Sequence, residues 1–167
     1  FIYFLSEELK VPVKKIKSFV LGGHGDSMVA MLGSTEVEGK KINDLLKEGR
    51  ISKEKLDQIV DRTKKGGAEI VKFLEKGSAF YAPAASGVEM AECYLKNLKK
   101  QLPCAVYLNG EYGAKDIYAG VPVIIGSGGV EKIIELQLSE EEKANFENSV
   151  KAVNELFSAA KKIDPSL

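Results

Sequence analysis

The chain carries one histidine, two cysteines and no excess charge of either sign. A zinc site needs three or four nitrogen, sulfur or carboxylate ligands close together, and His24, Cys93 and Cys104 stand in no such spacing. No metal is expected. Lys plus Arg equals Asp plus Glu at 24 each, so no net field recruits nucleic acid or an anionic membrane surface, and neither is expected as a partner. No apolar run approaches the ~20 residues that span a bilayer. Phe1-Ile2-Tyr3-Phe4-Leu5 has neither a charged leader nor a cap, and reads as the interior of a helix rather than a signal peptide. Two cysteines without a secretory leader point to a reducing, cytoplasmic setting with free thiols, a Cys93–Cys104 disulfide remaining open.

What is present suits one folded domain. A length of 167 residues with 44% hydrophobic and 29% charged content supports a substantial core. No linker, repeat or low-complexity segment divides the chain, which reads as a single domain over 1–167. Phe1, Phe4, Leu5 and Leu9 have helical spacing up to Val11-Pro12. Val11 to Leu21 reads as a turn and a strand. Residues 27–37 read as one or two strands, and Glu38-Gly39-Lys40-Lys41 as the turn of a hairpin whose second arm is Ile42 to Leu46. Ser52 is placed to cap a long helix through Leu74, with Gly66-Gly67 marking a kink or a close backbone approach.

The second half opens on small residues from Gly77 to Ser86, with Pro83 suited to be the first residue of a helix running to about Leu98. A meander follows, with strands at 103–108, 117–119, 121–125 and 130–138 and glycines, Gly120 among them, supplying turns. Gly126-Ser127-Gly128-Gly129 joins two strand-like runs and opens no helix, so it is not read as a dinucleotide loop. Ser139-Glu140-Glu141-Glu142 is a capping box for a last helix with Phe146, Val150, Val153, Phe157 and Ala160 on one stripe. The expected fold class is α+β, a mixed or antiparallel sheet flanked by long helices.

One stretch carries chemistry. In Phe19-Val20-Leu21-Gly22-Gly23-His24-Gly25-Asp26-Ser27 an apolar run stops at glycines that allow a sharp turn, leaving the imidazole at a strand end. Histidine exchanges a proton near neutrality, with Asp26 close in sequence. A lone histidine among glycines is also a common turn residue, and the residues of the loop leave both readings open.

That stretch, together with Gly77-Ser78-Ala79-Phe80-Tyr81-Ala82-Pro83-Ala84-Ala85-Ser86, Pro103-Cys104-Ala105-Val106-Tyr107-Leu108-Asn109-Gly110-Glu111-Tyr112-Gly113 and Gly120-Val121-Pro122-Val123-Ile124-Ile125-Gly126, resembles the lactate and malate dehydrogenases. The similarity is to the C-terminal substrate domain of their lactate-dehydrogenase-like malate dehydrogenases. It implies that His24 is the general acid/base that takes the 2-hydroxyl proton of malate as hydride passes to NAD. It further implies that Ser78, Ala79 and Pro83 line the nicotinamide and substrate side of the pocket. By the same resemblance the NAD-binding Rossmann domain, the aspartate that orients the histidine and the arginine that grips the substrate carboxylate precede Phe1 and are absent from this chain. The resemblance therefore implies a small 2-hydroxy or 2-oxo acid as substrate, a homo-oligomeric parent, and an inactive isolated chain. Two other readings stand beside it: the corresponding domain of a lactate dehydrogenase, and a non-catalytic oligomerisation domain.

Overall fold

Helical spacing at the start is met by helix α1 (Ile2–Leu9), which buries Leu5 and Leu9 and ends where Lys10 enters left-handed backbone at φ 55°. The computed structural model describes residues 1–166. The run expected as one strand from Val11 instead makes a 3₁₀ turn at Val13–Lys15 and two short strands, β1 (Ile16–Lys17) and β2 (Val20–Leu21). It changes sheet between them, where the Ser18 and Thr35 hydroxyls share a 2.7 Å hydrogen bond. Ile16 enters one apolar core and Leu21 another.

Strand β2 pairs with β3 (Val29–Ala30), and β1 with β4 (Glu36–Val37), which pairs in turn with β5 (Lys40–Lys41). Glu38 and Gly39 at φ 52° and 82° form the two-residue turn of the β4–β5 hairpin. The expected second arm at Ile42 to Leu46 is not a strand: it is helix α2 (Ile42–Lys47). The pair Ile42 and Leu45 explains the difference, since their three-residue spacing buries both on one helical face of the first core.

Helix α3 (Lys53–Lys64) starts at Ser52, whose hydroxyl accepts the Lys55 N–H at 3.1 Å, and buries Leu56 and Ile59. The expected long helix is broken at Lys65 (φ −92°, ψ 2°), beyond which α4 (Gly66–Leu74) begins. A side chain at Gly66 or Gly67 would meet nothing within 4 Å, so the glycines lower helix propensity at the break rather than admit another backbone. Arg62 braces the break by binding Glu69 through two hydrogen bonds, at 2.5 and 2.9 Å.

Helix α5 (Tyr81–Leu95) starts two residues before the expected first residue and stops short of Leu98; Pro83 is its third residue, still within the first turn, where the missing N–H costs no intrahelical bond. Strands β6 (Lys100–Asn109), β7 (Lys115–Gly126) and β8 (Gly129–Ile133) form an antiparallel meander around the Gly110–Gly113 and Gly126–Gly129 turns. Every strand pair named here is antiparallel. Gly120 is not a turn: β7 runs straight through it, because its N–H and C=O pair with those of Gly22 at 2.8 Å each.

Helix α6 (Glu140–Ile163) begins with the expected capping box: Ser139 Oγ accepts the Glu142 N–H, and Glu142 Oε2 accepts the Ser139 N–H. Ser139→Ala is therefore expected to cost about 1 kcal/mol. Thermal unfolding followed by circular dichroism should show a midpoint about 2–4 °C lower. Phe146 is buried and Val150 and Val153 pack against the core as the stripe requires, whereas Phe157 lies 47% exposed on a stretch beyond the core. The second core joins β2, β3 and the meander to Cys93 of α5 and Phe146 of α6.

Both cysteines are free and buried, and burial pushes the Cys104 thiol up from its ordinary range. A thiol-specific chromogenic reagent at neutral pH should label neither quickly in the native chain, and both of its 2 cysteines in denaturant. Rapid native labelling would contradict the packing of α5 on β6 and β7.

Candidate active site

The histidine loop connects β2 to β3. Leu21 is buried in the second core, and Gly22 follows at φ +90°, a backbone conformation that glycine adopts without steric cost. Its two hydrogen bonds to Gly120 bring the backbones so close that a Cβ on Gly120 would lie 2.8 Å from the Gly22 carbonyl oxygen. On the opposite side the Gly23 N–H donates to Ser149 Oγ of α6 at 2.8 Å. His24 comes next, in extended backbone (φ −88°, ψ 148°), ahead of a 3₁₀ turn at Gly25–Ser27 closed by the Met28 N–H on the Gly25 carbonyl at 3.0 Å. The sequence places the imidazole at a strand end, and the fold holds that end from both sides.

The imidazole of His24 is exposed, and among the described residues it makes no side-chain hydrogen bond or ion pair. A Cβ on the next residue, Gly25, would meet nothing within 4 Å beyond its chain neighbours. Asp26 turns to a different surface. It joins Ser27, Asn43, Lys53 and Glu141 in lining a cavity of about 460 Å³ between α3, α6 and the loop, and does not pair with His24. His24, Ser78, Ala79 and Pro83 do not line that cavity.

The other three predicted residues sit where α4 gives way to α5. Gly77 at φ +85° lets the chain fold back under the Phe80 ring, which a Cβ at Gly77 would strike at 2.5 Å. Ala79 is half-buried, and Ser78 and Pro83 are exposed. No hydrogen bond among the described residues joins them to His24; the link is β7, against which both α5 and β2 pack. Around them runs an open apolar face that includes Phe73, Phe80, Tyr81, Val88 and Leu95, with Phe73 and Tyr81 each 77% exposed. Large apolar side chains exposed together on neighbouring elements suit a surface for another protein body or a ligand.

Two loop-holding side chains were not singled out from the sequence as such. Ser149 falls between Phe146 and Val150 on the apolar stripe of α6, and a serine in such a place needs a hydrogen-bond partner. Glu142 was legible only as a cap; its Oε1 also accepts the Gly33 N–H at 2.8 Å.

Comparison with known proteins adds to this geometry. Residues 1–163 match the family model described as lactate/malate dehydrogenase, alpha/beta C-terminal domain. The malate dehydrogenase of Pelagibacter ubique (strain HTCC1062) is 64% identical over 167 residues, which are 100% of this chain and 52% of that protein. The crystal structure of Cryptosporidium parvum malate dehydrogenase superposes with a TM-score of 0.92 at 40% identity, over 96% of this chain and 51% of that one. The structure of Eimeria maxima lactate dehydrogenase with NADH and oxamate superposes with a TM-score of 0.93 at 38% identity, over 98% and 51%. The chain thus spans about half the length of the relatives it matches.

Proposed function

This chain belongs to the lactate/malate dehydrogenase family, as its alpha/beta C-terminal domain, and from that premise we propose that it is the substrate and proton-transfer half of an NAD-dependent malate dehydrogenase. The observation that carries the reading is the histidine loop itself: a fixed Gly22-Gly23 segment presents His24 exposed at the surface. The 64% identity with a malate dehydrogenase supports malate as the substrate. The superpositions alone do not separate the two substrates.

The residues present fit a nicotinamide that reaches His24 from outside the domain. The ring is open to the surface, and the one glycine-rich turn reminiscent of a phosphate loop, Gly126–Gly129, joins β7 to β8 instead of opening a helix. Ser78, Ala79 and Pro83 would face the nicotinamide and the substrate. When bound, NAD accepts the hydride from C2 of malate. His24 contributes the proton chemistry: the neutral imidazole takes the 2-hydroxyl proton as the carbonyl of oxaloacetate forms. In the reverse direction the imidazolium donates to the 2-oxygen and returns the proton. The orienting aspartate, the carboxylate-binding arginine and most of the NAD site belong to the other half of the parent. The open face around α4 and α5 supports docking of that half and of a second copy, and the balanced charge and buried free thiols suit a cytoplasmic homo-oligomer without nucleic acid or membrane partners.

The purified 167-residue chain is expected to oxidise no malate alone and to gain NAD-dependent malate oxidation when co-expressed with a nucleotide-binding half from a close relative. Activity in the isolated chain, or tight association of the halves without activity, contradicts the reading. The latter result favours a domain retained for oligomerisation alone.

A further inference from the structure

The Gly22–Gly23 peptide unit is pinned at both poles. Its carbonyl accepts the Gly120 N–H from β7 at 2.8 Å, and its N–H donates to Ser149 Oγ from α6 at 2.8 Å. Ser149 is 2% exposed, so its hydroxyl has no ready exchange with water. The side chain also fills the volume over the turn: a Cβ on Gly22 would lie 2.2 Å from Ser149 Oγ, and one on Gly23 would lie 3.1 Å from Val153 Cγ2. Two helical turns earlier on α6, Glu142 holds Gly33 at the far end of the same segment. His24 is the first residue beyond the pinned peptide, and among the described residues its ring has no partner of its own. Within this half its place is therefore set through its backbone, and the orienting aspartate proposed for the other half meets a ring that the backbone has already placed.

We propose that Ser149 is a positioning residue for proton transfer: by fixing the Gly22–Gly23 peptide it sets where the His24 imidazole stands relative to the substrate. The proposal rests on the reading of His24 as the acid/base. Without the Ser149 oxygen the peptide keeps its bond to Gly120 but is free to rock about it, and that rocking swings the Cα of His24. A displacement of about 1 Å at a reacting group lowers rate by up to about 10²-fold while leaving binding elsewhere intact. The effect belongs in kcat, not in the affinity for the cofactor.

The test compares four variants of the assembled dehydrogenase, measured well below each unfolding midpoint: Ser149→Ala, His24→Asn, the double variant, and Ser139→Ala. Ser139→Ala loosens the start of the same helix without touching the histidine loop, and controls for stability. Ser149→Ala is expected to lower kcat for malate oxidation about 10- to 100-fold with KM for NAD within about twofold of the parent. Ser139→Ala is expected to keep kcat. In the His24→Asn background Ser149→Ala should lower kcat no further, because the residue it positions is gone. A Ser149→Ala enzyme with parental kcat, an equal loss in Ser139→Ala, or an undiminished further loss in the double variant overturns the proposal. Loss in His24→Asn with none in Ser149→Ala overturns only the positioning role. Full activity in His24→Asn overturns the reading of His24 as well.

Discussion

Replacing His24 with asparagine in the assembled dehydrogenase is expected to lower kcat for malate oxidation by about 10²- to 10⁴-fold, the usual contribution of a placed acid/base. Oxidation of a secondary alcohol by hydride transfer leaves a proton on the 2-oxygen, and water removes it poorly from a site closed around its substrates. Asparagine roughly keeps the size and polarity of the ring but takes no proton. Stability should be unaffected, because the imidazole is exposed and among the described residues has no side-chain partner to lose. Steady-state kinetics and thermal unfolding of the parent and the variant read both.

The second large effect falls on the fold and on activity together. Gly22→Ala places a Cβ 2.2 Å from Ser149 Oγ and 2.8 Å from its Cβ, at a residue whose φ is +90°. Left-handed backbone costs a non-glycine residue about 1–2 kcal/mol, and overpacking a close contact adds about 1–3 kcal/mol. The unfolding midpoint should drop by roughly 10 °C at about 2–4 °C per kcal/mol for a domain of this size. Because the strain is relieved most easily by moving the loop away from α6, kcat should fall as well. Gly25→Ala is the informative contrast. It has a comparable φ, +82°, but its Cβ would meet nothing within 4 Å, so it should show the backbone penalty alone. Equal losses in the two variants, measured by calorimetry, would remove the argument that Gly22 is held by packing.

Local rules made part of this molecule legible from its residues. Ser52 and Ser139 announced their helices because capping is settled within four residues, and His24 stood out because glycines bracket the chain's only histidine. Ile42 to Leu46 misled for the opposite reason: the hairpin turn at Glu38-Gly39 is real, but only Lys40 and Lys41 pair across it before Ile42 and Leu45 find a helical face to bury. Gly120 was read as a turn because glycine has two common uses in a strand-rich stretch, and the partner that decides between them, Gly22, is remote in sequence. Ser149 was hidden by distance too, 126 residues from the amide it receives. The resemblance to a dehydrogenase domain implies the roles proposed for Ser78, Ala79 and Pro83, and the fold places them on α5 and its approach, with β7 packed against both α5 and the β2 strand that leads to His24.

The central claim is that His24 handles the proton of the substrate's 2-oxygen, and a crystal structure of the assembled protein with NADH and a 2-oxo dicarboxylate analogue tests it most directly. The account predicts an imidazole nitrogen of His24 within about 2.6–3.2 Å of the analogue's 2-oxygen, with the Gly23 N–H still on Ser149 Oγ. A 2-oxygen bound by another group, with the His24 ring turned to solvent, would contradict it.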